Sequence, residues 1–241
     1  MKLLAAVFSL IVLLGDQTIV AAVQVANEAG PKSTGAEVSF QFERAGLSVP
    51  KYKIVMHEDG AGSYQAEVAP VGIGGGTMGV SAVPRPISQP IRISSATTQM
   101  VFQAARSLDR FNIPCESKAK NIADTGKKIL SYKGNDGEGS CHYNYSENKS
   151  VSQLTDTFQA IAQTMDEGRK LQFLHRFDRL GLYSEMEVLS HEVEEKRVLE
   201  LGNIDSALRS IVADEALMQK VRERAAHLLA LGEDQGPSQT R

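Results

Sequence analysis

Tryptophan is absent from the 241 residues, aromatic side chains make up only 6%, and there are just two cysteines. Without indole, the flat stacking platforms that hold sugars or bases lose their strongest component. Two cysteines allow at most one internal crosslink, and Cys115 and Cys141 lack the C-x-x-C spacing of a redox pair. Basic side chains are also in short supply, 26 against 29 acidic ones, for a formal net charge of −3. A nucleic-acid binder usually carries a basic surplus, so no nucleic-acid partner is expected. No cofactor is expected either, because none of the motifs below is complete.

The apolar run from Leu3 to Leu14 follows Lys2 and is closed by Gly15 and Asp16, with Ala21, Ala22 and Ala26 beyond. A short positive start, about a dozen apolar residues and a small-residue exit describe a secretory signal peptide. Residues 1–22 are its expected extent, with cleavage after Ala22 or as late as Ala26. A retained anchor is the weaker reading: the run is too short for roughly 30 Å of hydrocarbon. Extending it through Val25 would bury Asp16, Gln17 and Thr18. No cysteine follows the run for lipid attachment, so a soluble mature chain without stable membrane insertion is expected, periplasmic or secreted. Under oxidising conditions Cys115 and Cys141 would pair, closing a loop of about 27 residues worth on the order of 3.5 kcal/mol in the chain-entropy model. Two buried thiols are the alternative.

Period-two alternation marks strands. Val38, Phe40 and Phe42 alternate with Glu37, Ser39, Gln41 and Glu43; Tyr52, Ile54 and Met56 alternate with Lys53, Val55 and His57. Asp59-Gly60-Ala61-Gly62-Ser63 turns that strand back through Tyr64 to Val68, and Asp136-Gly137-Glu138-Gly139-Ser140 repeats the device between Lys127–Lys133 and Cys141–Ser146. These are two hairpins of one antiparallel sheet. Between them, the glycines from Gly72 to Gly79 and Pro84, Pro86 and Pro90 predict a mobile loop. A helix capped by Ser94 or Ser95 follows, with a stripe of Met100, Ala104, Leu108 and Phe111, and Pro114 beyond it.

From Ser150 onward the pattern is helical. Ser150 with Gln153, and Ser184 with Glu187, make capping boxes. Gly168 predicts a kink or end, and Leu171, Leu174, Phe177 and Leu180 continue the apolar side. Helices from Ile204 to Val212 and Glu215 to Leu231 follow, the second capped by Asp214 and stopped by Gly232. The expected build is α+β: a sheet-plus-helix domain over 36–150, a helical bundle or helical-hairpin region over 151–232, and a disordered tail over 233–241.

The strand–DGxGS–strand unit, the segment from Cys115 to Gly126 and that from Cys141 to Lys149 together resemble a family of uncharacterised exported bacterial proteins. The resemblance covers most of the mature chain. It implies export and a shared fold, with no assigned activity and no functional residue to carry over.

Candidate chemistry is sparse. His191 and Glu195 share a helix face and could ligate a divalent ion, but a second histidine is missing where Glu195 stands and no third ligand is evident. His57 and His142 sit in the two hairpins on the side away from the apolar set, as conceivable paired ligands or acid–base groups. Asp59, Asp136 and Glu138 could offer oxygens to calcium, yet Asp-Gly is ordinary turn chemistry and the EF-hand spacing is absent. The glycine run lacks the following helix and Lys-Ser/Thr of a phosphate loop. Ser63 and Ser140 lack the G-x-S-x-G elbow, so no catalytic set is named. Asn144-Tyr145-Ser146 and Asn148-Lys149-Ser150 are formal glycosylation sequons. The sequence therefore predicts a non-catalytic module that binds a protein or envelope component, with a metal-dependent hydrolase as the alternative.

Overall fold

The computed structural model describes residues 35–69 and 83–234. The predicted signal peptide, the glycine run over 72–79 and the chain beyond residue 234 lie outside the described residues. The six strands are β1 (Glu37–Glu43), β2 (Lys51–His57), β3 (Ala61–Val68), β4 (Arg85–Arg92), β5 (Lys127–Gly134) and β6 (Gly137–Tyr143). They form one fully antiparallel sheet in the order β4-β3-β2-β1-β5-β6. The α+β class holds, and both predicted hairpins lie in the same sheet. At the β2–β3 turn Gly60 has φ +76°, which a side chain would strain.

Strand β4 corrects the expectation of a loop. It occupies the sheet's edge, where proline is tolerated. Ile93 N donates to Gly60 O, so the odd-numbered residues direct their backbone toward β3. The even-numbered ones face the open edge, and Pro86 and Pro90 therefore remove donors only where no strand waits to receive them.

One side of the sheet is the core. Val38, Phe40, Ile54, Met56, Tyr64 and Leu130 are almost completely buried against two helices, α1 (Ser95–Ser107) and the first half of α2 (Lys149–Phe177). Phe40 stacks on Phe158 at 5.2 Å. Each such buried side chain stabilises the fold by roughly 1.5–3 kcal/mol. In α1 the buried stripe is Thr98, Val101, Phe102 and Ala105; of the predicted stripe, Met100 and Ala104 are half-buried, while Leu108 and Phe111, just beyond the helix, are buried as expected. Ser94 is its cap, accepting from Thr97 N.

A second apolar cluster joins the end of α2 to α3 (Arg179–Glu194), α4 (Asp205–Ala213) and α5 (Gln219–Asp234) through Leu171, Leu182, Met186, Ile204, Leu208 and Leu228. Several predicted boundaries are corrected here. Asn148 caps α2, its side chain accepting from Ser150 N and Val151 N, which puts Ser150 and Gln153 inside the helix. Asp178 caps α3 by accepting from Gly181 N at 2.8 Å, so Ser184 and Glu187 are mid-helix. Asp214 closes a local turn through Ala216 N, and α5 begins only at Gln219. That helix passes through Gly232 to Asp234, so the first two residues of the predicted tail are helical. Gly168 neither kinks nor ends α2. A Cβ there would lie 2.3 Å from Ile204 Cγ2, so glycine serves close approach of the Leu201–Ile204 turn.

The sheet and the C-terminal helices are tied by polar contacts as well. Ser94 N and Oγ both donate to the Glu200 carboxylate at 2.8 Å, and Asn203 bonds Arg92. Cys115 and Cys141 form the disulfide, with Cα atoms 5.8 Å apart, stapling the segment after α1 to the second edge strand.

Candidate functional site: the open face of the sheet

Among the described residues, no helix packs on the other side of the sheet. Strand register arranges its side chains in rows. One row is small: Pro90, Ser63, Val55, Ser39, Ser131 and Ser140. Ser39 is only 5% exposed, so larger neighbours rise around it. The next row reads Ser88, Gln65, Lys53, Gln41, Ile129 and His142. Beyond it Glu67, Lys51, Glu43 and Lys127 alternate in charge across four strands, with Lys51 Nζ 3.6 Å from Glu67.

The last two rows line a groove of about 890 Å³, which Glu116 and Asn144 also border. At a strand spacing of about 4.8 Å, the row from Ser88 to His142 spans roughly 24 Å. Lys53 has no carboxylate within ion-pair distance among the described residues. Its register neighbours are the amides of Gln41 and Gln65, each able to donate and accept. Ile129 supplies an apolar patch of floor. This is the composition of a recognition surface: Lys53 among two-way hydrogen-bonding groups in the middle row, charges of both signs in the outer row, and, among the described residues, no nucleophile with an adjacent base.

Beneath the groove lies a buried ammonium that sequence reasoning missed. Lys128 is 5% exposed, and its Nζ donates to Thr125 O, Thr125 Oγ1, Gly126 O and Asn144 O at 2.7–3.0 Å. Phe42 and Tyr143 flank it at 5.7 and 6.0 Å. Burial draws its pKa below the ordinary lysine value. Its donors are all engaged, so it fixes the rim and is no free nucleophile. Alternation alone would have put Lys128 on the core side, but its acceptors are backbone carbonyls with no sequence signature.

The residues singled out by sequence are not brought together. His57 lies in the row of Glu37 and His142 in that of Gln41, three strands away. Strand spacing and rise put them roughly 20 Å apart, too far for a joint role. His142 borders the groove, whereas His57 does not. His191 and Glu195 do share a helix face, at 3.0 Å, as an exposed contact whose carboxylate also meets Arg197. A guanidinium there opposes a bound cation. Among the described residues no three His, Cys, Asp or Glu side chains are grouped to hold a metal ion.

Asp136 accepts from Tyr132 Oη at 2.6 Å and lies 3.4–3.5 Å from Arg110 and Arg106, and Asp59 Oδ1 accepts from Ala61 N at 2.8 Å. Both carboxylates are occupied by the fold. The sequon asparagines are engaged too: Asn144 Nδ2 donates to Ala123 O and Asn148 caps α2.

A second unpredicted cluster lies between α2 and α3. Glu167 and Glu185 are 3% and 8% exposed, and each has one carboxyl oxygen without a conventional donor. Gln163 Nε2 donates to the other Glu167 oxygen at 2.8 Å, and Lys170 Nζ lies 2.6 Å from Glu185. Burial first, then hydrogen bonding to Glu185, pushes the Glu167 pKa up to about 8. Burial and the neighbouring Glu185 thus favour the protonated form of Glu167. Helical spacing alone could have put Gln163, Glu167 and Lys170 on one face, but not their burial.

Among the described residues no helix is long and apolar enough to cross a membrane. In comparisons with known proteins, no family model and no curated protein matches this chain.

Proposed function

We propose that this chain is an exported, non-catalytic binding module whose ligand lies across the strands on the open face of the sheet. The observation that carries this reading is the row from Ser88 to His142, along a groove of about 890 Å³, which no described helix covers and in which Lys53 has no ion-pair partner among the described residues. Export is supported by the leader pattern of residues 1–22, by the Cys115–Cys141 disulfide, and by the resemblance to exported bacterial proteins. An elongated, carboxylate-bearing chain suits the row: a carboxylate meets Lys53, while Gln41, Gln65 and Ser88 take its amide or hydroxyl groups.

The test is a titration of isotopically labelled protein with oligoglutamate and, separately, with oligogalacturonate, followed by backbone amide shifts. Either polymer should move resonances along the Gln41–Lys53–Gln65 row, and Lys53→Ala should weaken binding about tenfold. The two arms distinguish a peptide from a saccharide. Binding that leaves this row unmoved, or no binding by either polymer, overturns the reading.

A further inference from the structure

The corner between α2 and α3 carries an apolar cap that the fold leaves bare. Phe173, Phe177 and Leu180 are 59%, 64% and 81% exposed, while Leu171 and Leu182 are fully buried. The two phenyl rings lie 5.1 Å apart. Asp178 fixes the corner from both sides, donating its N–H to Leu174 O and accepting from Gly181 N. The three side chains are thus presented on a rigid turn, and their burial is not needed by either core. Exposed clusters of this kind mark interaction sites.

The charge around the cap narrows the partner. Of the four cations around the corner, Arg169 pairs with Asp166, Lys170 with Glu185 and Arg179 with Asp214, which leaves Arg176 as the one beside the cap without a carboxylate partner among the described residues. Arg176 lies over the Phe177 ring at 5.1 Å and has no carboxylate within ion-pair distance among the described residues. Two copies meeting cap to cap would bring their unpaired Arg176 guanidiniums together. An anionic lipid surface accommodates both features: rings enter the acyl boundary while guanidiniums stay with the phosphates.

We propose that the α2–α3 corner docks this protein on anionic membrane surfaces, with Phe173, Phe177 and Leu180 as the apolar anchor and Arg176 as the headgroup contact. This is peripheral attachment, independent of the groove and its ligand.

Co-sedimentation tests it, using vesicles of phosphatidylcholine alone and of an equimolar mixture with phosphatidylglycerol. The full chain and residues 33–241, a compact unit by themselves, are compared so that the apolar leader is controlled for. The shorter chain should bind the mixed vesicles and be released by high salt. F173S/F177S, and separately R176S, should each lower that binding by at least about tenfold with unchanged thermal melting. Lys53→Ala, on the open face of the sheet, should bind as the parent does. Equal sedimentation of parent and F173S/F177S overturns the proposal, as does a parent dimer in analytical ultracentrifugation that F173S/F177S dissociates.

Discussion

The side chain of Asn203 imitates a strand: its Oδ1 accepts from Arg92 N at 2.7 Å and its Nδ2 donates to Arg92 O at 3.0 Å. Arg92 belongs to the even-numbered set of β4 that faces the open edge. With Pro86 and Pro90 lacking N–H groups, this leaves Ser88 as the open donor among them. The edge is blunted by two different chemistries. Asn203→Ala should lower stability by about 1–2 kcal/mol in urea unfolding. Adding Pro90→Thr should raise aggregation in light scattering beyond either change alone; an unchanged aggregation rate would contradict this account of the edge.

Gly168 and Ile204 make the second testable pair. Gly168→Ala should cost about 1–3 kcal/mol by overpacking, even though alanine is the better helix former. Ile204→Ala removes the opposing Cγ2, so it should be less damaging in the Gly168→Ala background than in the parent. A double-mutant cycle reads the coupling, and simple additivity would mean the clash is relieved elsewhere.

The Glu167–Glu185 pair predicts a pH dependence. Glu167 has a folded pKa of about 8, above its ordinary carboxyl value of 4.5, so the folded state holds the proton more tightly. Its stabilising contribution is complete below the unfolded pKa and is lost as pH rises through 8. Lys170 and Gln163 on α2, and Glu185 and Glu192 on α3, face the site. Glu167→Gln keeps a donor without the titration. Between pH 6 and pH 9 its Tm should change little, while the parent falls relative to it by about 5 °C or more. Parallel profiles would refute the raised pKa of Glu167.

Replacing both Cys115 and Cys141 by serine should lower stability on the order of 3.5 kcal/mol. Mass spectrometry without reductant should show the parent lacking both thiol hydrogens. Detection of free thiols in protein recovered from its native compartment would remove the oxidising-environment argument.

Strands with polar and apolar residues in strict alternation were readable because each has one wet and one dry face. Val38 to Phe42 and Tyr52 to Met56 are examples. Strand β4 was hidden because proline is permitted by edge position, and position follows from pairing order, not local sequence. Asn148 and Asp178 displaced the predicted caps because all these side chains can accept a backbone N–H, and packing chooses among them. The groove was half legible: alternation placed Gln41 and Lys53 opposite the core, but only register aligned them with Gln65, Ile129 and His142. Periodicity points Lys128 to the core side and groups Gln163, Glu167 and Lys170 on one helix face, but the Lys128 cage and the burial of Glu167 depend on tertiary neighbours.

Helix α2 runs 29 residues, with Phe158 and Ile161 in the sheet's core and Leu171 in the helical one. It is a single axle shared by both apolar centres. A break near its midpoint would rob each of a wall, so the two centres should melt in one transition, and shortening the protein from its C-terminal end would loosen the sheet as surely as the helices.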